Sequence, residues 1–303
     1  MTSLPRARRF WSNFAIRAAS GAVLASLALA AVWVFDWPQI HFAVLAQPAG
    51  VPAAVWGFDW PSSFWRAPFL IMIAVGGTLL SFEWAAMSTP SVSRRAAVVT
   101  TAAVASVVFL AYVGDYAWAW VGVVVGAVLA AVTIRGASAR AMDAAYGVLY
   151  IAPACLAIVW LRETPQGRGW VMMLFATTWA ADIAAFVVGS ALKGPKLWPR
   201  FSPNKTWTGF FGGLAAATAT SVGVAAVAMR LSLAGAALIG VLGGLATMAG
   251  DLWESMLKRR FGVKDSGDLI PGHGGLLDRV DGMMFAVMVF ALARLVVHFG
   301  WAH

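Results

Sequence analysis

Nine apolar runs of roughly twenty residues, separated by short polar segments, constrain this chain more than any other feature. A run of that length, wound as an α-helix rising ~1.5 Å per residue, crosses the ~30 Å hydrocarbon core of a bilayer. The runs fall at about 16–35, 68–87, 96–113, 117–134, 144–161, 169–191, 209–229, 233–250 and 283–299. They are built from Ala, Val, Leu and Gly without the strict alternation of a barrel strand, so the expected fold is an all-α polytopic membrane bundle. With 61% hydrophobic and 12% charged residues and a mean hydropathy of +0.78, a soluble domain is excluded. The stretch 41–57 is interrupted by Pro48, Gly50 and Pro52 and reads as a non-spanning loop, with Trp56, Trp60 and Trp65 suited to the headgroup region. Arginines ahead of the first run imitate a signal peptide, but no cleavage site followed by a mature soluble domain is visible, so this run is read as the first membrane helix.

Charge orients the bundle. With nine spans and the N-terminus inside, 17 of the 22 Lys and Arg fall on the inner face, among them Arg94, Arg95, Arg135, Arg140, Lys193, Lys196 and Arg200. Outside lie Arg66, Arg162, Arg168 and Arg230, while Arg294 sits near the end of the last run, where it can snorkel. A crossing at 41–57 would reverse every later loop, so the positive-inside rule favours nine spans and places the polar loops in the cytoplasm. The expected location is a bacterial inner membrane. The net charge of +9 follows from topology and attraction to anionic membrane lipids, and no nucleic-acid partner is implied. The single cysteine, Cys155, reads as a small buried hydrophobe. Gly122 and Gly126, like Gly240 and Gly244, are four apart, which reads as close packing inside the bundle ahead of a homodimer seam. Residues 1–160 form a hydrophobic frame; residues 161–303 carry the polar motifs.

One short segment gathers much of the charge. Ser255–Asp281, SMLKRRFGVKDSGDLIPGHGGLLDRVD, sets Lys258, Arg259, Arg260, Lys264 and Arg279 beside Asp265, Asp268, Asp278 and Asp281, with His273 among glycines. Acids and bases together favour chemistry over a basic topology signal. Asp251, Glu254, Ser255 and Lys258 stand at i, i+3, i+4 and i+7, so a helix continuing past the eighth run carries them on one face. Asp278 and Asp281 are i and i+3 at the entrance to the last run. Two helices meeting there would converge Asp251, Asp278 and Asp281, hard oxygen ligands of the kind Mg²⁺ takes. Spacing alone leaves metal binding and simple pairing with Arg279 or nearby lysines equally open.

The segment resembles the signature of the phosphatidate cytidylyltransferases in Ser255, Lys258-Arg259, Lys264-Asp265, Pro271 with His273-Gly274-Gly275, and Asp278-Arg279 with Asp281. A second stretch, SPNKTWTG at 202–209, resembles that family's Ser-Pro-x-Lys-Thr-x-x-Gly element, with Thr208 where the family commonly has Glu. Asp182, inside the sixth run, resembles the family's Asp ahead of a small-aromatic-Gly stretch. The resemblance implies CTP and phosphatidate as substrates, CDP-diacylglycerol and pyrophosphate as products, Mg²⁺ held by Asp251, Asp278 and Asp281, and room for a second cation. Lys258, Arg259, Lys264 and His273 join those carboxylates as catalytic candidates. Ser202, Lys205, Thr206, Ser255, Asp265, Gly274, Gly275, Arg279 and Asp182 are the substrate-binding candidates. Lys and Arg suit phosphate as a mobile point charge and a bidentate fork. Ser202, Lys205 and Thr206 would meet phosphate at a helix start. An Asp inside a span ordinarily faces the bundle and has a partner. Glu83, near an inner span end, reads as able to reach water and is given no role.

Two rivals remain in view. A transporter for an anionic substrate would place ionic groups near the midplane and show an inverted repeat, whereas here they gather at one face. A polyprenol kinase using CTP as phosphoryl donor shares the lipid-phosphate chemistry.

Overall fold

The computed structural model describes residues 62–135, 140–229, 231–269 and 274–298, with four helical positions, Ser26, Leu29, Ala30 and Val32, ahead of them. Eight described helices are long and apolar enough to cross a membrane. They are α1 (Ser62–Ser88), α2 (Ser93–Tyr112), α3 (Tyr116–Ile134), α4 (Ala141–Glu163), α5 (Gly167–Leu192), α6 (Trp207–Ala228), α7 (Leu233–Phe261) and α8 (Leu277–His298). Each coincides with one of the apolar runs read from the sequence. The first run lies mostly outside the described residues, as do the 41–57 stretch, Pro271, Gly272 and His273.

The helices pack as neighbours in chain order, α1 on α2, α2 on α3 and α3 on α4, then α5 on α6, α6 on α7 and α7 on α8. Helix α4 joins the two halves, touching α1, α2, α5 and α8, and it is the most enclosed of the eight. Outward faces carry large apolar side chains such as Ile71, Phe109, Val124 and Phe186. In a bilayer such faces meet lipid at no cost, so they need no protein partner.

Small residues set how closely the helices approach. A Cβ on Gly126 would stand 2.6 Å from Cβ of Ala103, and one on Gly240 2.7 Å from Cα of Thr218. Both glycine pairs noted in the sequence therefore pack inside the bundle. The same device operates where α7 crosses α8. A Cβ on Gly250 would lie 3.0 Å from Cα of Gly282, and one on Gly282 would lie 2.8 Å from the Thr247 carbonyl oxygen. Asp251 and Asp281 are the chain neighbours of those two glycines, so this backbone contact brings the two aspartates to one level.

Helix α7 is 29 residues long, about 44 Å at 1.5 Å per residue, well beyond the hydrocarbon core. Its last turns form the expected arm bearing Asp251, Glu254, Ser255 and Lys258. Lys258, Arg259 and Arg260 occupy the final turn, where cations suit the negative end of the helix dipole. Gly262 closes the helix at φ 77° with its N–H on the Arg259 and Lys258 carbonyls, the usual glycine stop.

Between α5 and α6 the chain forms a small antiparallel hairpin, β1 (Lys196–Trp198) and β2 (Ser202–Thr206), which hydropathy gave no reason to expect. Helix α5 ends at Lys193 in the left-handed conformation (φ 47°). Trp198 meets Phe201 edge-on, with centroids 5.1 Å apart, and the Arg200 guanidinium lies 5.3 Å from the Phe201 ring centre. Thr206 then caps α6, its Oγ1 accepting the Gly209 N–H at 3.1 Å.

Candidate active site

The polar residues collect at one end of the bundle, where α5 and α7 finish and α6 and α8 begin. Two clusters can be separated there. In the first, Lys258 Nζ donates to Asp278 Oδ1 at 2.6 Å. It also lies 2.6 Å from Glu254 Oε2, an ion-pair contact outside hydrogen-bond geometry. Asp278 Oδ2 further accepts the backbone N–H groups of Ser266 (3.1 Å) and Gly275 (3.0 Å). Lys258 and Asp278 thus tie the α7 terminus, the 263–269 loop and the start of α8 together. Glu254, fully buried, supplies a second negative charge to the same lysine.

The glycines of this loop have separate reasons. Gly274 sits at φ +85°, a conformation costly for any other residue. At Gly275 a Cβ would collide with Ser266 Oγ and stand 2.7 Å from Glu83 Oε2. Without side chains there, the loop closes onto Asp278.

Glu83 is the residue that sequence reasoning missed. It does not reach water; it is buried. One carboxylate oxygen accepts the Leu276 N–H and the other the Leu277 N–H, both at 2.7 Å, and Ser266 Oγ lies 3.3 Å from Oε2. A carboxylate from α1 therefore caps α8, satisfying N–H groups that have no partner within the helix. An acid within an apolar run was the available signal, but its partner lies 193 positions away. Arg260, whose charge suits topology alone, also has a structural partner: Nη2 lies 2.7 Å from Asp143 Oδ1, joining α7 to the start of α4.

The second cluster differs. Lys205 of β2 forms an ion pair with Asp251 of α7, which brings the 202–209 element against the α7 arm that leads into the 255–281 segment. Asp281 is buried, and its described hydrogen bond is with the Gly282 N–H, at 2.7 Å. The charges of Asp251, Glu254 and Asp182 all bear on it. Asp182 is exposed, yet its electrostatic neighbours are Asp251, Lys205 and Arg279. Its charge is therefore felt beside residues of α7, β2 and α8.

The three carboxylates read as a metal set are thus divided. Asp278 turns to Lys258 and the loop, and among the described residues no group of three His, Cys, Asp or Glu is placed to hold a metal ion. Asp251 and Asp281, with Asp182 nearby, belong to the second cluster. Lys205 engages Asp251 there, and Mg²⁺ commonly takes only one or two carboxylates with water and substrate phosphate. Of the other candidates, Arg259, Lys264, Asp265 and Arg279 are exposed, Ser202, Ser255 and Gly274 are partly buried, and Gly275 is buried. Thr206 spends its hydroxyl on the α6 cap and on Thr208 Oγ1, 3.1 Å away. Thr208, standing where the related element commonly has Glu, serves this local contact. His273 lies outside the described residues.

A polytopic bundle with acids and bases gathered at one end, among helix termini, defines an integral membrane protein. A sequence profile of the Cytidylyltransferase family matches residues 54–297, and the chain belongs to that family. It is 47% identical over 156 residues to a phosphatidate cytidylyltransferase of Brucella suis, covering 51% of this chain and 57% of the relative. It is 40% identical over 151 residues to the Pseudomonas aeruginosa protein of the same name, covering 48% and 54%. For that of Staphylococcus saprophyticus the identity is 39% over 148 residues, covering 48% and 57%. The chain thus spans little more than half the length of these relatives.

Proposed function

We propose that this protein transfers the cytidylyl group of CTP to phosphatidate, giving CDP-diacylglycerol and pyrophosphate for phospholipid synthesis, at a site on the cytoplasmic face of a bacterial inner membrane. The observation that carries the reading is the meeting of Lys205 of the 202–209 element with Asp251, on the α7 arm that leads into the second element and beside Asp281, at one end of the bundle. A lipid phosphate and a soluble triphosphate can meet only at such a boundary.

In this reaction a phosphate oxygen of phosphatidate forms a bond to the α-phosphorus of CTP. The bond from that phosphorus to the β-phosphate bridging oxygen breaks, and its electrons leave with pyrophosphate. The attacking monoester is already largely ionised near neutral pH, so no strong protein base is needed. The protein's work is positioning and charge neutralisation. The exposed Arg279, Lys264 and Arg259 line the approach and suit the triphosphate and the lipid phosphate. Lys205 exchanges part of its contact with Asp251 for a phosphate oxygen. Asp251 and Asp281 would hold Mg²⁺, which when bound neutralises phosphate charge and orients the leaving group. Lys258, enclosed by Glu254 and Asp278, holds the loop in place instead of meeting substrate.

Full-length protein in detergent, given phosphatidate and CTP labelled separately in the cytidine and the γ-phosphate, tests the assignment. Cytidine label on the lipid is expected. The γ-phosphate on the lipid would make the protein a lipid kinase, and neither label would leave the transporter reading.

A further inference from the structure

The same helices carry a second polar feature at their other end. Arg294, in the last turns of α8, was expected to snorkel outward, but it is buried at 7% exposure. Its Nε has no hydrogen-bond partner among the described residues. It lines a pocket of about 130 Å³ with Pro165, Gln166, Trp170, Met229, Leu231 and Val297. These come from the α4–α5 loop, the start of α5, the α6–α7 connection and the end of α8. Arg294 stands thirteen positions beyond Asp281, about 20 Å along the helix. The pocket therefore belongs to neither cluster of the candidate active site.

A buried donor left without a partner is costly, since the desolvation of that N–H is not compensated. Such a donor is tolerated where an anion completes the site. The remaining walls are mostly apolar, with Gln166 the other polar side chain. Inorganic phosphate has several acceptor oxygens and would be poorly matched by such walls, whereas a lipid presents one phosphate together with apolar glycerol and acyl carbons. Arg294 stands four residues before the end of α8, about 6 Å inside it, the depth at which headgroup phosphates meet the hydrocarbon. Trp170 suits that level. We infer that the Arg294 pocket binds the phosphate of a membrane phospholipid, on the side of the bundle opposite the candidate active site.

The test uses delipidated full-length protein in a neutral detergent and reads the midpoint of thermal unfolding. The probes are phosphatidylglycerol, which has no phosphomonoester, diacylglycerol, which has no phosphate, and inorganic phosphate. At a hundredfold excess over Kd, phosphatidylglycerol should raise the wild-type midpoint by about 5 °C or more, and the other two should not. Arg294→Met should abolish that shift while being no less stable than wild type without lipid, because it removes a buried donor that has no partner among the described residues. Val297→Trp, which fills the pocket and leaves Arg294 in place, should also abolish the shift and decides the matter if Arg294→Met fails to fold. A full shift retained in either folded variant, or no wild-type shift, would overturn the site. An equal shift with inorganic phosphate would overturn the lipid assignment.

Discussion

Two carboxylate clusters lie side by side at the same end of the bundle, and they are built to opposite specifications. Around Lys258, the charges of Glu254 and Asp278 are met by a cation and two backbone N–H groups. Around Asp281, the charges of Asp251, Asp182 and Glu254 converge, with Lys205 engaged by Asp251 at the edge. The first arrangement sets its lysine between both acids and fixes the loop through Asp278. The second gathers more acids than the one lysine it engages. Asp278 and Asp281 are three residues apart and belong to different clusters, so proximity in sequence says little about which carboxylates act together.

The comparison can be broken most forcefully at Asp281. Asp281→Asn should lower turnover by at least about 10²–10³-fold, the scale seen when one preorganised electrostatic contact is lost. Its thermal midpoint should stay level or rise, because a buried like charge is removed. Near-normal activity at limiting Mg²⁺ would remove Asp281 from the site. Asp278→Asn should instead show its effect in stability. Breaking a buried pair typically costs ~3–5 kcal/mol, and retention of Glu254 beside Lys258 reduces that to about 2–3 kcal/mol. Denaturant titration of the two variants should therefore separate them, and equal losses of stability would erase the distinction between the clusters.

Lys205 sharpens the comparison from the substrate side. Lys205→Ala should raise KM for CTP about tenfold while altering KM for phosphatidate little, because one charge-assisted phosphate contact is worth ~1.5–3 kcal/mol. Steady-state kinetics with each substrate varied in turn gives the answer, and unchanged constants would make the residue a mere partner of Asp251. Glu83→Gln keeps the shape of the α8 cap but removes its charge, and should cost about 1–2 kcal/mol with a several-fold fall in kcat and unchanged KM values. A fall in KM alone would argue against a positioning role. The smallest effect belongs to Arg260→Ala. That side chain is 63% exposed, so loss of its pair with Asp143 should cost under about 1 kcal/mol and leave the kinetics alone.

The eight described helices were legible because each must be apolar for about twenty residues to cross a bilayer, and that requirement acts on contiguous sequence. The α7 arm was legible too, since Asp251, Glu254, Ser255 and Lys258 repeat at helical spacing. The β1–β2 hairpin was not, being short, half polar and dependent on local aromatic contacts such as Trp198 on Phe201. Nor was the inward turn of Arg294, because an arginine near a span end can equally extend toward water.

What the sequence by itself determined is the class of fold and the neighbourhood of the candidate site: local chemical patterns, namely apolar length and a dense run of acids, bases and glycines, suffice for both. Only the tertiary structure decided how the acids are partitioned. Asp278 goes to Lys258, Asp281 joins Asp251 near Asp182, and Glu83 of the frame caps α8 from 194 positions away. The reason is physical. Helical periodicity tells which residues share a face, but the partner a charge meets depends on which helices approach closely, and here that is set by backbone contact at Gly250 and Gly282.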